Sequence, residues 1–135
     1  MKDYIEHHKM NEFELKKNFD FLDKSEFSFD QEIIKSHCID WRGKYEGTSK
    51  LIIFPKSAEN ISKIIKICEK KKIPLVPQGG NTSLVGGSVP RKNKNEIILN
   101  LKKLNKIRKI NLIDNSITFD SGCILGDIKN KLNNL

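Results

Sequence analysis

The sequence predicts an α+β fold in which a small parallel β-α-β unit is followed by the start of a second, mainly antiparallel unit. Three observations carry this. Two short apolar runs, Leu51-Ile52-Ile53-Phe54 and Pro74-Leu75-Val76-Pro77, flank a segment with helical periodicity. Such a crossover is long enough for parallel pairing. Two further runs, Lys106 to Ile113 and Ser116 to Asp120, meet at Asp114-Asn115, a hairpin signal. Between these two patterns lies a glycine-rich stretch framed by Pro77 and Pro90.

In chain order, Met1 to Lys24 mixes charges with Phe13, Leu15, Phe19, Phe21 and Leu22 and reads as a helix with a rough apolar stripe. Phe27 and Phe29 alternate with Ser and Asp, which suggests a short extended piece. Asp40 to Gly47 reads as an irregular connection. The run from Leu51 to Phe54 is continuous and stopped by Pro55, as in a strand buried on both faces. Ser57 reads as a helix N-cap, with Glu59 in the first turn, where a carboxylate complements the positive helix end. Ile61, Ile64, Ile65 and Cys68 then follow at the spacing of one helix face, and Lys70 to Lys72 close the helix at its negative end. Arg91 to Asn95 is a polar turn, and Glu96 to Leu101 reads as another strand. After the hairpin, Ser121-Gly122 is a turn, and Ile124, Leu125, Ile128 and Leu132 suggest a final helix.

Composition narrows the function. The chain has 135 residues, 37% hydrophobic and 31% charged, which suits one modest domain or part of a larger one. The formal net charge is +8, and the only arginines are Arg42, Arg91 and Arg108. A basic surface attracts anions of several kinds, but the lysines are interleaved with acids and form no long basic run, so nucleic acid is not the expected partner. Cys38, Cys68 and Cys123 are odd in number and include no CxxC pair, which argues against a disulfide framework or a zinc site. The opening residues are charged rather than apolar, and no apolar run approaches the roughly 20 residues that span a bilayer. A cytoplasmic location is expected from these features.

The glycine-rich loop is the constellation with chemistry in it. Four of the eight glycines fall in the thirteen residues from Gln78 to Pro90. A diphosphate needs several N–H donors converging at short range with no side chains in the way, and paired glycines allow that approach and reach φ > 0. Asn81, Thr82, Ser83 and Ser88 add short neutral donors. The loop follows a strand, where open α/β sheets place their ligand crevice. It has neither the GK[ST] of a P-loop nor the GxGxxG of a dinucleotide fingerprint, which disfavours NAD.

The segment Pro74-Leu75-Val76-Pro77-Gln78-Gly79-Gly80-Asn81-Thr82-Ser83-Leu84-Val85-Gly86-Gly87-Ser88-Val89-Pro90 resembles the FAD diphosphate loop of the vanillyl-alcohol-oxidase and p-cresol-methylhydroxylase superfamily. Its D-2-hydroxyacid dehydrogenase branch is the nearest in pattern, including D-2-hydroxyglutarate dehydrogenase, D-lactate dehydrogenase and the glycolate oxidase flavin subunit. Asp40-Trp41, Phe54-Pro55-Lys56-Ser57, Leu104-Asn105-Lys106-Ile107 and Ser121-Gly122 resemble the flanking segments of that branch. The resemblance implies an incomplete FAD-binding PCMH-type domain over residues 39–135, preceded by a partly helical segment, residues 1–38. It implies FAD held by the backbone at Gln78, Gly79, Gly80, Asn81, Thr82, Ser83, Gly86, Gly87 and Ser88, with Gly122 close to the flavin. Some members attach FAD through a histidine just after the Gly-Gly pair. Asn81 stands there in this chain, so FAD is expected to be bound non-covalently.

The implied activity is oxidation of a small D-2-hydroxy acid to a 2-oxo acid, with hydride transfer to FAD. Family enzymes run to several hundred residues, and their cap domain carries the substrate arginine, the catalytic histidine and, in the hydroxyglutarate branch, metal ligands. No catalytic or metal-binding residue is therefore assigned to this chain, which is expected to be inactive alone, with a separate chain carrying the cap as a candidate partner. Two alternatives stay open: a non-catalytic truncated fragment or split-gene subunit, and a basic nucleic-acid-binding module. The remaining candidates read as structural. His7-His8 lie in a charged terminus, His37 and Cys38 point to opposite sides, and Cys68 is a small core residue. Trp41 reads as a packing anchor, and Asp114 and Asp120 as turn and surface groups.

Overall fold

The computed structural model describes residues 11–92 and 95–133. The first ten residues of the expected N-terminal helix, His7-His8 among them, and Asn93-Lys94 in the polar turn lie outside the described residues. Helix α1 covers Glu12–Asn18 and starts from a capping box, in which Asn11 Oδ1 accepts from the Glu14 N–H at 2.9 Å. It ends at Phe19, well short of Lys24, and a single 3-10 turn occupies Lys24–Glu26. Strand β1 is Phe27–Ser28, where the alternation predicted an extended piece.

Helix α2, Gln31–His37, is absent from the sequence-based expectation. Its signal is the Asp30 N-cap, whose carboxylate accepts from the Glu32 N–H at 2.9 Å. At seven residues it is too short to stand alone, and it forms because Ile34, 2% exposed, packs beneath it.

Four strands form the main sheet: β1, β2 (Ile52–Ile53), β3 (Leu75–Gln78) and β4 (Ile97–Asn100), in the order β1-β2-β4-β3. β1 runs antiparallel to β2, whereas β2 and β3 both run parallel to β4. The predicted parallel unit is therefore present, but β4 lies between its two strands. Helix α3, Ala58–Lys71, crosses between β2 and β3, with Ser57 Oγ accepting from the Asn60 N–H at 3.1 Å.

Alternation along the strands divides the core in two. Leu51, Ile53, Ile97 and Leu99 share one cluster with Leu15, Phe19, Ile64 and Cys68, so α1 and α3 cover that face. Ile52, Phe54 and Ile98 share the other with Ile34 and Cys38 of the α2 segment. Ile52, Ile53 and Ile98 are wholly buried, as two-sided coverage requires. On α3, Ile64 and Cys68 are buried as expected, but Ile65 is 48% exposed and Ile67 packs in its place. The stripe, Ile61, Ile64, Ile67 and Cys68, is therefore rotated by one position from the expected one, toward the face that meets the sheet. Trp41 is likewise not a packing anchor. It is 59% exposed, with the Arg42 guanidinium 4.7 Å from its ring.

Strands β5 (Ile107–Asn111) and β6 (Ser116–Phe119) form the predicted antiparallel hairpin, with a register shift at Arg108. Asp114 shapes its turn by accepting from the Ser116 N–H at 3.1 Å, and Asn115 takes φ +52°. Helix α4, Leu125–Leu132, follows, with only Ile128 buried.

Candidate functional site

The parallel strands β3 and β4 end side by side, with Gln78 paired to Asn100 in register. Outside those carboxyl ends lies an open cleft of about 1140 Å3. Crevices of open α/β sheets take ligands at this place. Gln78 and Asn100 form the floor, and Gly79, Gly80, Asn81 and Thr82 rise from β3 as one wall, beside Ser36 and His37. The opposite wall comes from Lys102, Lys106 and Ile107, from Gly122 and Cys123, and from the first turn of α4.

Of the sequence-predicted residues, Gln78, Gly79, Gly80, Asn81, Thr82 and Gly122 line the cleft. Ser83, Gly86, Gly87 and Ser88 belong to the return limb of the loop and are not part of the lining. The expected short donors are largely turned inward. The Ser88 hydroxyl donates to Asn81 Oδ1 at 2.7 Å, and the Asn81 amide donates to the Ile39 carbonyl at 2.7 Å. Ser83 Oγ accepts from the Val85 N–H at 3.4 Å.

The glycines divide by what a side chain would meet. Gly86 has φ +72°, and a Cβ there would stand 2.7 Å from the Tyr45 ring. A Cβ on Gly122 would stand 2.0 Å from the Leu101 carbonyl oxygen. The protein's own packing explains both. At Gly79 and Gly80 the nearest protein atoms lie at 3.8 and 3.9 Å, and neither residue has positive φ. The conformational role expected for these two is corrected accordingly. Left-handed backbone falls instead on Gly86 and on Asn81, at φ +54°. Bare backbone at Gly79 and Gly80 faces free space on the cleft side, which fits the close approach of a diphosphate.

The lining is cationic. Lys102, Lys106 and Lys131 border the cleft against one acid, Asp127. The Lys102 ammonium sits 4.3 Å from the centre of the Phe54 ring, and His37 meets the same ring edge-on at 5.8 Å. His37 Nδ1 lies 2.9 Å from the Ile33 carbonyl and 3.0 Å from Ser36 Oγ. The first turn of α4 borders the cleft, and its N-cap Ile124 makes no side-chain cap, so its N-terminal amides suit an anion. Of these residues, Asn100, Lys102 and the α4 turn were not anticipated. A polar residue closing an apolar strand at Asn100 was the readable signal; the convergence of the others has none.

Elsewhere the titratable groups are structural. Burial pushes the Cys68 thiol up to about 12 and raises that of Cys38. Burial also pushes the Glu26 carboxyl up, but hydrogen bonds from Asn60 Nδ2 and from the N–H groups of Lys56 and Asp23 outweigh it and hold it below the ordinary range. The side-chain hydrogen bond from Arg108 lowers Asp120.

The sheet order, with the cleft at the carboxyl ends of β3 and β4, is shared with solved structures. An alkyldihydroxyacetonephosphate synthase aligns with TM-score 0.78 at 16% identity, over 93% of this chain and 25% of that one. A p-cresol methylhydroxylase with substrate bound aligns with TM-score 0.77 at 20% identity, over 93% and 25%. A family model described as an FAD binding domain matches residues 49–135, and the chain belongs to that family, with FAD as its cofactor.

Relatives by sequence include a Schizosaccharomyces pombe protein named as a mitochondrial D-lactate dehydrogenase, 46% identical over 84% of this chain. They also include an Arabidopsis thaliana mitochondrial D-2-hydroxyglutarate dehydrogenase, 39% identical over 73%, and a Saccharomyces cerevisiae D-2-hydroxyglutarate–pyruvate transhydrogenase, 37% identical over 82%. The chain spans 20%, 17% and 25% of those proteins. The expectation of a cytoplasmic location is corrected, because the first two of these relatives are mitochondrial by name. Cysteine usage does not separate the cytosol from other reducing compartments. Among the described residues, no helix is long and apolar enough to cross a membrane.

Proposed function

We propose that this chain supplies the diphosphate-holding part of a flavoprotein that oxidises a D-2-hydroxy acid to a 2-oxo acid. FAD is held without a covalent bond, in the cleft outside β3 and β4. When bound it supplies the hydride acceptor. The observation that carries the reading is the bare backbone of Gly79 and Gly80, open to the cleft where the protein itself would tolerate a side chain. Gln78 lies beneath them in the floor, Asn81 and Thr82 continue the same wall, Gly122 stands on the facing one, and Ser83, Gly86, Gly87 and Ser88 form the limb that supports the loop.

Lys102, Lys106 and Lys131 offset the two diphosphate charges. Asn81 is turned to Ile39 and Ser88 rather than to the cleft, which supports non-covalent binding. Residues 39–135 form the cofactor-binding part. Of the preceding segment, residues 1–38, the described residues 11–38 brace it, since Leu15, Phe19 and Leu22 pack on the sheet. The groups that would take the substrate's hydroxyl proton and clamp its carboxylate are not assigned to this chain.

The test is the flavin content of wild type, Gly80→Val, Gly87→Val and Cys68→Ala, read by absorbance and by mass spectrometry of ligand released on denaturation. FAD accompanies wild type and Cys68→Ala, released intact, and is lost from the glycine variants. NAD alone in the wild-type extract, or normal flavin in both glycine variants, overturns the assignment.

A further inference from the structure

Gln78 and Asn100 are 1% and 3% exposed, at the ends of two neighbouring parallel strands. Buried amides are costly unless every polar atom finds a partner. Here the partners form one continuous chain. Asn100 Nδ2 donates to Gln78 Oε1 at 3.0 Å. Gln78 Nε2 then donates to the carbonyls of His37, at 2.9 Å, and Ser88, at 2.8 Å. The Ser88 hydroxyl donates to Asn81, and Asn81 donates to the Ile39 carbonyl. On its other side, Asn100 Oδ1 accepts from the Lys102 N–H at 3.1 Å.

We infer that Asn100 is a positioning residue for the cofactor. Through Gln78 it fixes the Gly79–Thr82 backbone, and through the Lys102 N–H it fixes the start of the opposite wall. It therefore sets the distance across which the ligand is gripped. This rests on the reading that the cleft holds FAD.

The loop needs such a device. Gly79 and Gly80 have no side chains with which to pack, and their backbone is free of close contact on the cleft side. Asn81 takes the left-handed backbone, φ +54°, that asparagine tolerates better than most non-glycine residues. Its amide is engaged at both ends, by Ile39 and by Ser88. Ser88 is in turn bound by Gln78, and Gln78 by Asn100. The loop is thus held from beneath by amides, and its N–H groups are ordered before the ligand arrives. Ordering that need not occur on binding appears as affinity.

Asn100→Asp keeps the size and the acceptor for Lys102 but sets a carboxylate against Gln78 Oε1. Ser88→Ala releases Asn81 at the far end of the chain. Ile98→Val, on the same strand and buried in the core, is the control for loss of stability alone. FAD affinity of the purified chain is measured by flavin fluorescence at a temperature where circular dichroism shows each variant folded.

Asn100→Asp raises Kd about tenfold and Ser88→Ala raises it less, since each removes a hydrogen bond that orders the loop. Ile98→Val lowers the melting temperature and leaves Kd unchanged. If wild type binds FAD and both polar variants bind it equally well, the positioning role is overturned while the FAD reading stands. If wild type fails to bind FAD, both fall.

Discussion

The two strand systems are built to different standards. In the main sheet, β2 and β4 are buried on both faces, by α1 and α3 on one side and the α2 segment on the other. In the hairpin, Leu112 is 77% exposed, Ile113 96% and Phe119 41%, and the adjoining Ile124 and Leu125 are 65% and 62% exposed. The hairpin is held by its backbone ladder, by the Asp114 turn and by the Arg108–Asp120 pair, with Nε to Oδ1 at 2.8 Å. The candidate site lies between the two systems, so one wall is anchored in a dense core and the other is lightly covered. Ligand sites are often drawn from such unevenly stable ground, because a wall that opens at low cost admits a ligand that the fixed wall has been shaped to hold.

The comparison breaks if equal truncations in the two regions have equal effects. Ile98→Ala empties a fully buried position on the central strand and should destabilise the chain by about 3 kcal/mol. Ile110→Ala, on a half-buried strand of the hairpin, should cost about 1 kcal/mol or less. Urea unfolding of the two variants measures the difference.

Gly122→Ala probes the seam. Its Cβ would stand 2.0 Å from the Leu101 oxygen and 2.7 Å from that of Leu104, so the backbone must move. A loss of about 2 kcal/mol is expected. Because Gly122 lines the cleft, weaker FAD binding accompanies it; unchanged binding would detach the hairpin from the site.

Acid sharpens the contrast at smaller amplitude. Glu26 is held below the ordinary glutamate value of 4.5, so its contribution is complete above that pH and is lost as the pH falls through the depressed value. Asp120 is lowered in the same direction, but its partner Arg108 is exposed and solvent screens the pair. Acid unfolding curves should therefore flatten more for Glu26→Gln than for Asp120→Asn, and the reverse order would place the acid-sensitive link in the hairpin.

The smallest perturbation is chemical labelling. Iodoacetamide should modify Cys123, half-buried in the cleft, while Cys38 and Cys68 stay protected by burial. FAD should slow the reaction at Cys123, as peptide mapping with and without cofactor would report.

The elements legible in the sequence are those whose cause is local. Four consecutive apolar residues before Pro55, the Ser57 cap with its helical period and the Asp114-Asn115 turn each carry their geometry within a few residues. Helix α2 escaped because seven residues hold too little periodicity to outweigh Phe27 and Phe29, although Asp30 marked its start. The exposures of Ile65 and Trp41 depended on what lay opposite them, which no local pattern encodes.

The sequence by itself determined that a β-α-β unit, a hairpin and a glycine loop exist and in what order. The four glycines between Gln78 and Pro90 also led to the expectation of a loop open to a diphosphate, since glycine's openness is a property of the residue. Only the tertiary structure decided that β4 enters between β2 and β3, because pairings as distant as Leu75 with Ile97 and Ile52 with Ile98 are settled by which apolar faces can both be covered. That insertion sets Asn100 beside Gln78. It turns two polar residues at separate strand ends into the buried link beneath the cleft, because hydrogen bonds between distant residues are made by the fold that brings them together.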